Sequence, residues 1–439
     1  MQSGPRLRRA RPGKTEDRMN GRQRIACALR GEWPDARPVM LHNFMSAAAE
    51  AGLRMAEYRR SAAAVARAHI RAAETYDLDG VLIDFDTCTL AGALGAAVAF
   101  PEDAPARVRA PALASLEEVR DLGPPAIAGD GRVQLWLEAC REVKAYFGDE
   151  KFVRGNCDQA PFALASMLRG LAPWLLDLMD PAREPLARRL LEYCAEAGEA
   201  FVSLMAATGV DMVSNGDSPA GPEVIAPEMY RAFALPYEAR IAARAHALGL
   251  PHMLHICGDT TRILRDMRSS GTDALELDFK TDVRAIHAEC SRSVVLSGTI
   301  DPVGVLERGA PDAVAAAVRA ILDVYEDSPR LIVNAGCALP AATPEPLSLA
   351  DIARLRSVRE VAVSADGELV AYVLGVPRRP WEEEDGPAWG ELHVVDRLGA
   401  DRGFVTGREN VRSLAWTPDG REILFLARRQ GDEATCLWS

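Results

Sequence analysis

The sequence predicts an α/β protein, a (β/α)8 barrel that is followed by a small antiparallel β appendage. The barrel is predicted because short apolar runs alternate with Ala-, Leu-, Arg- and Glu-rich helical stretches over residues 19–356. That alternation is typical of βα units and of a parallel sheet. Eight apolar runs fit into this range, which is the strand number of such a barrel. The appendage is predicted from a hairpin pattern that repeats over residues 357–439.

Each predicted strand ends in polar or small residues. The strands are predicted over residues 38–44, 80–86, 152–156, 211–217, 252–257, 274–279, 294–300 and 331–337. The helices predicted between them include residues 63–76, 185–207, 227–248 and 311–325. Since barrel enzymes build their active sites at the carboxyl ends of the strands, the polar residues found there are functional candidates.

The candidates fall into two groups. The carboxylates Asp86, Asp217 and Glu276 are the candidate catalytic residues. The candidate substrate-binding residues are His42, Asn156, Asn215, Asp278 and Asn334. For each of them a simply solvated strand end is the competing interpretation, and for Asp86 a helix cap or a salt bridge competes as well.

The two ends of the chain differ from the barrel range. Residues 1–18 are basic, polar and punctuated by Pro and Gly, and we predict a disordered leader. Residues 358–373 and 411–426 align without gaps, with Asp-Gly at 366–367 opposite Asp-Gly at 419–420. Each segment reads as a strand, a turn and a second strand, which indicates a hairpin. The repeat resembles β-propeller blades, although two hairpins cannot close a ring of roughly four to eight blades.

Composition excludes several classes of protein. The 439 residues carry 51 Lys+Arg against 63 Asp+Glu, a formal net charge of −12, which argues against non-specific nucleic-acid binding. No apolar run reaches the roughly 18–20 residues that span a bilayer, and no apolar stretch follows the N-terminal arginines as it would in a secretory signal. Nine scattered cysteines are too sparse for a disulfide scaffold. The sequence therefore predicts a cytoplasmic protein whose cysteines are metal ligands or core residues.

The most specific motif is His255-Ile256-Cys257, which closes the fifth predicted strand. Residues two apart on a strand point to the same face, so both side chains can enter the barrel together. Cys337 ends the eighth predicted strand. One imidazole and two thiols form a set that zinc prefers, and three protein ligands leave a fourth position open for substrate. The competing interpretation is a hydrogen-bonded core histidine and two buried cysteines.

Longer segments around these motifs resemble the uroporphyrinogen decarboxylase superfamily. They are RQRIACALRGE at 22–32, APFALASMLRG at 160–170, NGDSPAGPEVIAPEMYRAFALPY at 215–237, HICGDTT at 255–261 and the Gly-Cys…Leu-Pro…Thr-Pro stretch at 336–344. The resemblance covers about residues 19–356 and leaves out the C-terminal hairpins. It implies a (β/α)8 barrel, in agreement with the strand count.

Within the superfamily these segments look most like the cobalamin-dependent methyltransferases of the methylcobamide:coenzyme M type. The decarboxylase branch binds an anionic porphyrinogen with arginines after the first strand, where this sequence reads MSAAAE at 45–50. That branch also has a tyrosine at the place of Met167 and a histidine at the place of Cys337, although Asp86 matches its aspartate. The resemblance therefore implies methyl transfer, with uroporphyrinogen decarboxylation as the alternative.

The methyltransferase resemblance implies zinc held by His255, Cys257 and Cys337. Zinc deprotonates a thiol that it binds, so a small thiol would be the methyl acceptor and a methylcorrinoid the donor. The chain shows no convincing cobalamin-binding motif of its own, which implies a separate small corrinoid protein as partner. The third hypothesis is a non-catalytic barrel–propeller fusion that acts as an interaction module.

The sequence leaves two details of the implied zinc site open. The fourth ligand before substrate arrives could be Asp217, Glu276 or Asp278. A metal-bound histidine also needs an acceptor for its other ring nitrogen, and for His255 that acceptor could be Asp217 or Glu276.

Overall fold

The computed structural model describes residues 19–341, 357–376, 389–397, 400–427 and 434–439. The chain divides into two compact units between Thr343 and Pro344. The predicted leader over residues 1–18 lies outside the described residues, and so does residue 356, where the sequence places the end of the barrel.

Helices and strands alternate through the first unit. The helices are α1 (Gly21–Arg30), α2 (Phe44–Glu50), α3 (Met55–Tyr58), α4 (Ala62–Thr75), α5 (Thr89–Ala93), α6 (Gly131–Phe147), α7 (Pro161–Arg169), α8 (Leu171–Met179), α9 (Glu184–Ala206), α10 (Pro227–Phe233), α11 (Leu235–Ala247), α12 (Leu264–Ser269), α13 (Val283–Cys290) and α14 (Pro311–Val324). The strands are β1 (Gly80–Ile83), β2 (Ala97–Ala99), β3 (Arg107–Ala110), β4 (Phe152–Gln159), β5 (Met212–Gly216), β6 (His252–Ile256), β7 (Ala274–Leu277), β8 (Val295–Ile300) and β9 (Leu331–Ala335). Among the described residues no single helix is long and apolar enough to cross a membrane, and only α7 and α8, bent by 108°, meet that criterion as a pair.

Seven parallel strands in the order β1-β4-β5-β6-β7-β8-β9 form the sheet, and residues 38–40 close it into a barrel. On one side Val39 forms a parallel bridge with Val333 of β9, and Met40 N donates to Val333 O at 3.1 Å. On the other side Asp79 N donates to Val39 O at 2.9 Å, just before β1. The segment takes the eighth position, so the predicted (β/α)8 barrel is confirmed.

The extent of the predicted strand over residues 38–44 is wrong, because pairing with the neighbouring strands stops after this closing bridge. His42 N donates to the side-chain oxygen of Asn334 at 2.9 Å, not to a neighbouring backbone. Helix α2 then begins at Phe44. Its three consecutive alanines at 47–49 favour a helix, whereas the apolar run before them has the composition of a strand.

The predicted helix over residues 227–248 is two helices, α10 and α11. They meet at Ala234, whose φ of −114° and ψ of −60° depart from helical values. Pro236 lies in the first turn of α11, where its missing N–H leaves no bond unmade; inside one continuous helix it would remove a hydrogen bond and clash with the preceding turn. The other predicted helices lie within one residue of α4, α9 and α14.

Alternate strand residues fill the barrel in layers. The lowest layer is apolar and is covered by Ile25 of α1. Its buried members are Ile25, Met40, Phe152, Met212, Met253, Ala274, Val295 and Ile332. Two positions further along the chain the residues are buried and polar. They are His42, Arg154, Ser214, His255, Glu276, Ser297 and Asn334. Because side chains alternate between faces, both layers point inward, and a dry floor lies beneath a polar layer.

A buried histidine of helix α4, His69, is hydrogen-bonded on one side only. Its Nε2 lies 2.8 Å from Tyr58 Oη, and Tyr58 donates to the backbone oxygen of Asp84 at 2.5 Å. Nδ1 of His69 has no hydrogen-bond partner among the described residues. Burial lowers the pKa of His69 to about 4, because a charged imidazole would place an unpaired N–H in the core.

We expect His69 to make the first unit sensitive to mild acid. The folded pKa lies below the unfolded value near 6.5, so the contribution is present above about pH 6.5 and is lost as the pH falls toward about 4. A shift of this size corresponds to about 3 kcal/mol. Urea unfolding at about pH 7.5 and pH 4.5 measures it. His69→Gln should flatten the pH dependence, whereas His246→Gln, at a surface ion pair, should not. Equal acid losses in the wild type and in His69→Gln would contradict the expectation.

The second unit holds two antiparallel sheets, in the orders β10-β11-β12-β13 and β14-β15-β16. The strands are β10 (Ser357–Val363), β11 (Leu369–Val376), β12 (Trp389–Asp396), β13 (Asp401–Val405), β14 (Arg412–Trp416), β15 (Ile423–Ala427) and β16 (Cys436–Trp438). Both predicted hairpins are confirmed, as β10–β11 and β14–β15. The β-propeller assignment stays a prediction.

The two hairpins turn in the same way. In the first, Asp366 Oδ1 accepts from Ser364 Oγ at 2.6 Å and from the N–H two positions further on at 3.0 Å. In the second, Asp419 Oδ1 accepts from Thr417 Oγ1 at 2.6 Å and again from the N–H two positions further on at 3.2 Å. The glycine after each aspartate has a positive φ, of 71° and 68°, which a residue without Cβ adopts readily. The two copies of the sequence repeat therefore form the same type of turn.

Candidate metal centre

Three side chains meet at the carboxyl ends of β6 and β9. His255 Nε2 lies 3.0 Å from Cys257 Sγ, and the sulfur atoms of Cys257 and Cys337 lie 3.4 Å apart. Cys337 Sγ is 3.8 Å from His255 Nε2. In the part of the chain that the structure describes, this is the only group of three or more His, Cys, Asp or Glu side chains placed to share one metal ion. The structure thus brings together the three ligands that the sequence proposed.

His255 is oriented by the backbone of the neighbouring strand. Its Nδ1 lies 3.0 Å from the backbone oxygen of Glu276, and a carbonyl oxygen can only accept, so Nδ1 carries a proton. Nε2 is therefore the nitrogen that faces the sulfur atoms. The Glu276 carboxylate is 3.6 Å from Nδ1, and Asp217 contacts His255 through its backbone N–H. The acceptor that the sequence placed on one of two carboxylates is this carbonyl.

The loop after β6 is held in place by hydrogen bonds. Cys257 N donates to Ser218 Oγ at 3.2 Å, and Gly258 N donates to Asp278 Oδ2 at 3.0 Å. Gly258 has a φ of 85°, and a Cβ there would lie 2.8 Å from the Glu223 carboxyl carbon, so both conformation and space favour glycine. These bonds hold the backbone around Cys257, a residue that remains partly exposed.

The two thiols of the cluster differ in acidity. A hydrogen bond from Cys337 holds the pKa of Cys257 well below its ordinary value, and the neighbouring His255 adds to the effect against the opposing cost of burial. The same hydrogen bond, together with burial, raises the pKa of Cys337. The cluster therefore favours one thiolate beside one thiol. A divalent cation could replace the protons that these three groups share, and two sulfurs with one imidazole are the donor set that suits zinc.

Glu276 lies one layer below the sulfurs and is the hub of a buried charge network. Its Oε1 is 2.7 Å from His42 Nδ1, and its Oε2 accepts from Arg154 Nη1. His42 Nε2 lies 2.9 Å from Asp84 Oδ2. Burial opposes ionisation of Glu276, but Arg154 and His42 outweigh it and hold the pKa of this carboxyl below its usual range. Burial would lower the pKa of His42, yet Glu276 and Asp84 raise it to about 9.

Arg154 was not among the residues predicted from the sequence. Its side chain is 3% exposed, and its Nε donates to Ser214 Oγ at 2.8 Å. A signal was present, because arginine is almost never fully buried without a partner and this one interrupts the apolar run at 152–156. The apolar run at 152–156 does not predict that the partner is Glu276, which lies three strands away in the sheet.

Two of the candidate catalytic carboxylates bind the starts of helices. Asp86 Oδ1 accepts from Cys88 N at 2.8 Å and from Thr89 Oγ1 at 2.9 Å, beside the start of α5. Asp217 Oδ1 accepts from Ala163 N at 2.6 Å, in the first turn of α7. Both carboxylates are completely buried. For Asp86 the contacts agree with the helix-capping interpretation; a catalytic role of either residue stays a prediction.

The candidate substrate-binding residues are largely occupied by contacts within the protein. Asn215 is buried and donates to a backbone carbonyl of β4 at 2.8 Å. Asn334 is buried and accepts from the N–H of His42, and Asp278 accepts from the loop after β6. Asn156 is the one member of this group that is not buried. Binding of substrate by these five residues stays a prediction.

The fold and the cluster define a class of protein, a (β/α)8 barrel that carries an imidazole and two thiols at the edge where barrel enzymes perform their chemistry. The family model described as Uroporphyrinogen decarboxylase (URO-D) matches residues 20–350. The chain therefore belongs to the uroporphyrinogen decarboxylase family, and the resemblance drawn from the sequence is confirmed.

Relatives in this family carry different names. The chain is 31% identical over 215 residues to the methylcobamide:CoM methyltransferase MtbA of Methanosarcina acetivorans, which is 49% of this chain and 61% of the relative. It is 26% identical over 280 residues to a methylated-thiol–coenzyme M methyltransferase of Methanosarcina mazei, 62% of this chain and 72% of the relative. It is 29% identical over 285 residues to the uroporphyrinogen decarboxylase of Methylococcus capsulatus, 62% and 77% of the two chains. The chain spans about three fifths of the MtbA relatives that it matches.

A solved structure shares the fold. The structure described as a methyltransferase from Methanosarcina mazei superposes with a TM-score of 0.68 at 20% sequence identity. The match covers 74% of this chain and 95% of that chain. The two chains therefore have the same barrel.

Proposed function

We propose that this protein is a corrinoid-dependent methyltransferase that moves a methyl group from a methylcorrinoid to a small thiol. The cluster of His255, Cys257 and Cys337 at the barrel mouth carries the proposal, because its two cysteines are partly exposed and lie where barrel enzymes bind substrate. The names of the methylcobamide:CoM methyltransferase relatives support the corrinoid donor and the thiol acceptor.

In this proposal His255, Cys257 and Cys337 hold a zinc ion. Bound zinc keeps the acceptor thiol in its thiolate form, the nucleophile, at neutral pH. Of the carboxylates considered as a fourth ligand, Asp217 is bonded to helix α7 and Asp278 to the loop after β6. Glu276 is bonded through both oxygens to His42 and Arg154 and lies beside Nδ1 of His255, away from the nitrogen that faces the sulfur atoms. We therefore propose that none of the three carboxylates is the fourth ligand and that this position takes the substrate thiol.

The buried charge network below the cluster also influences the charge balance of the proposed zinc site. Two thiolate ligands and a substrate thiolate would bring three negative charges to one divalent ion. Arg154 and His42 place positive charge beside Glu276, and charges in a buried layer are screened much less than at a surface. They balance the carboxylates of Glu276 and Asp84, so the network adds no large negative charge below that anionic site, and Arg154 also fixes the Glu276 carboxylate by a direct bond.

The proposed methyl donor is carried by a separate small corrinoid protein. The sequence shows no convincing cobalamin-binding motif of its own, and the two partly exposed cysteines at the mouth favour access of the donor from solvent.

An assay with free methylcobalamin tests the proposal. We expect the zinc-loaded chain to produce the methyl thioether of coenzyme M or mercaptoethanol, followed by the change in corrinoid absorption on demethylation. Chelation should abolish the reaction and added zinc should restore it. In a cobalt-substituted chain, thiolate charge-transfer bands should shift when the thiol is added. A metal-loaded chain with neither the product nor the shift would contradict the proposal.

Uroporphyrinogen decarboxylation remains the second candidate, because Asp86 stands at the matching position and several relatives carry that name. The completely buried Asp86 carboxylate disfavours direct contact with a tetrapyrrole. Turnover of uroporphyrinogen III by the metal-free chain, unchanged in Cys257→Ser, would replace the first proposal. A chain that binds no zinc and catalyses neither reaction would favour an interaction module.

A further inference from the structure

Each hairpin of the second unit has two faces, and strand pairing assigns their residues. In the first sheet Val361 pairs with Tyr372 and Val363 with Val370, and directly paired side chains share a face. We call this side face A. The opposite side, face B, contains Ala371 and its neighbours two positions away along the strand. Because the two hairpins align without gaps, each sheet has a face A and a face B.

Within the chain, face B of the first sheet packs against face A of the second. The buried core of the unit holds Ala371, Val373, Leu392, Val394 and Val405 from the first sheet and Val411, Phe425 and Ala427 from the second, with Leu414, Trp416 and Ile423 packed against them. In the repeat, Leu414, Trp416, Ile423 and Phe425 align with Val361, Val363, Val370 and Tyr372. Trp416 Nε1 also donates to Ala362 O at 3.0 Å across the two sheets. Face A of the second sheet is thus covered by face B of the first.

Among the described residues, the part of face A that strand β10 contributes is exposed. Val358, Val361 and Val363 are 57%, 60% and 58% exposed, whereas Val411, which aligns with Val358, is 3% exposed. Three valines on one sheet face form an apolar patch, the kind of surface that marks an interaction site.

In the part of the second sheet that the structure describes, face B is exposed as well. Leu426 pairs with Leu437 on this side, and Leu437 is 66% exposed. Leu424 and Leu426 are partly exposed, whereas Ala371 and Val373, with which they align, are buried in the core. Among the described residues, the first sheet therefore exposes part of its face A and the second sheet exposes its face B, the two kinds of surface that pack against each other inside the chain.

We propose that the second unit joins copies of this chain head to tail. The free face B of one copy packs on the free face A of the next, in the arrangement that already joins the two sheets within a chain. Such a heterologous contact produces a ring when its rotation closes. Two to four chains would then supply the roughly four to eight sheets of a β-propeller.

Two single substitutions block the two faces separately. Val363→Lys places a charge on face A and Leu437→Lys places one on face B, and both side chains are more than half exposed, so each variant should fold. We expect the full wild-type chain to sediment as an assembly of two or more copies, and each variant to sediment as a monomer. An equimolar mixture of the two variants should form a species of two chains and no larger, because only one intact pair of faces remains.

The single variants and their mixture together distinguish head-to-tail assembly from the pairing of two like faces. Leu176→Lys replaces an apolar residue of the first unit that is 68% exposed and should leave the assembly unchanged. A wild-type chain that stays monomeric at all accessible concentrations would overturn the proposal, and its free faces would then be open to another partner. An assembly that Val363→Lys abolishes but Leu437→Lys does not would overturn it too, since that result indicates pairing of face A with itself.

Discussion

Replacing Cys257 by serine is expected to abolish binding of the proposed zinc ion and to slow the proposed methyl transfer by at least about thirtyfold. Serine supplies no thiolate, so only His255 and Cys337 of the cluster remain. Without the metal, a thiol with a pKa near 8.5 is about 3% thiolate at pH 7, which alone accounts for that factor. The lost positioning of the acceptor adds to it. Zinc content by atomic emission and the rate with methylcobalamin and a small thiol measure the two effects.

Cys157→Ala is the matched control for this experiment. Cys157 is a buried thiol near the carboxyl end of β4 and is not part of the cluster, so the variant should keep one zinc per chain and the wild-type rate. A full equivalent of zinc retained by Cys257→Ser would refute the proposed ligand set. Loss of zinc with an unchanged rate of methyl transfer would show that the reaction does not need the metal.

Arg154→Met is expected to lower the free energy of unfolding of the first unit by about 3–5 kcal/mol. The substitution keeps most of the side-chain length and removes the charge that faces Glu276. The two side chains are 3% and 0% exposed, so the carboxylate left behind has little access to water. Leaving one member of a buried ion pair without its partner costs far more than removing an exposed pair. Urea unfolding at neutral pH measures the loss.

The double variant Arg154→Met/Glu276→Gln separates this pairing from lost packing. It removes both charges, so it should be more stable than Arg154→Met alone, although His42 then keeps only Asp84 as a charged partner. Arg141→Met, at an exposed pair with Glu138, should cost less than about 1 kcal/mol. Strictly additive losses in the double variant would show that the two side chains are not coupled.

The period of two along the strands explains why much of the site was predictable. Met253, His255 and Cys257 are inward positions two apart, so a floor residue, a polar residue and a sulfur follow one another on β6. The same step leads from Phe152 to Arg154 on β4. The position of a residue along its strand thus predicts which face its side chain takes and how far along the barrel axis it lies. Because Cys257 and Cys337 both lie at the carboxyl ends of their strands, the sequence also predicts where they meet.

Features that depend on a distant partner were not predictable in the same way. Asp217 lies at a strand end like a catalytic residue, yet it binds the start of a helix 54 positions earlier in the chain. Residues 38–40 form only a bridge. This short segment bonds to both neighbouring strands, and the chain then turns into α2. Glu276 was a candidate from its position alone, while its partner Arg154 on another strand became visible only in the folded structure.

The closing segment of the barrel also sets an order of events during synthesis. The contact between His42 and Asn334 spans 292 positions, so at roughly 5–20 residues per second the early segment waits about 15–60 s for its partner to leave the ribosome. Cys337 follows Val333 of that partner strand by four positions. A nascent chain therefore offers only His255 and Cys257 until the last strand has been made. Zinc acquisition at the proposed site would then be a late step that distinguishes a finished barrel from every shorter intermediate.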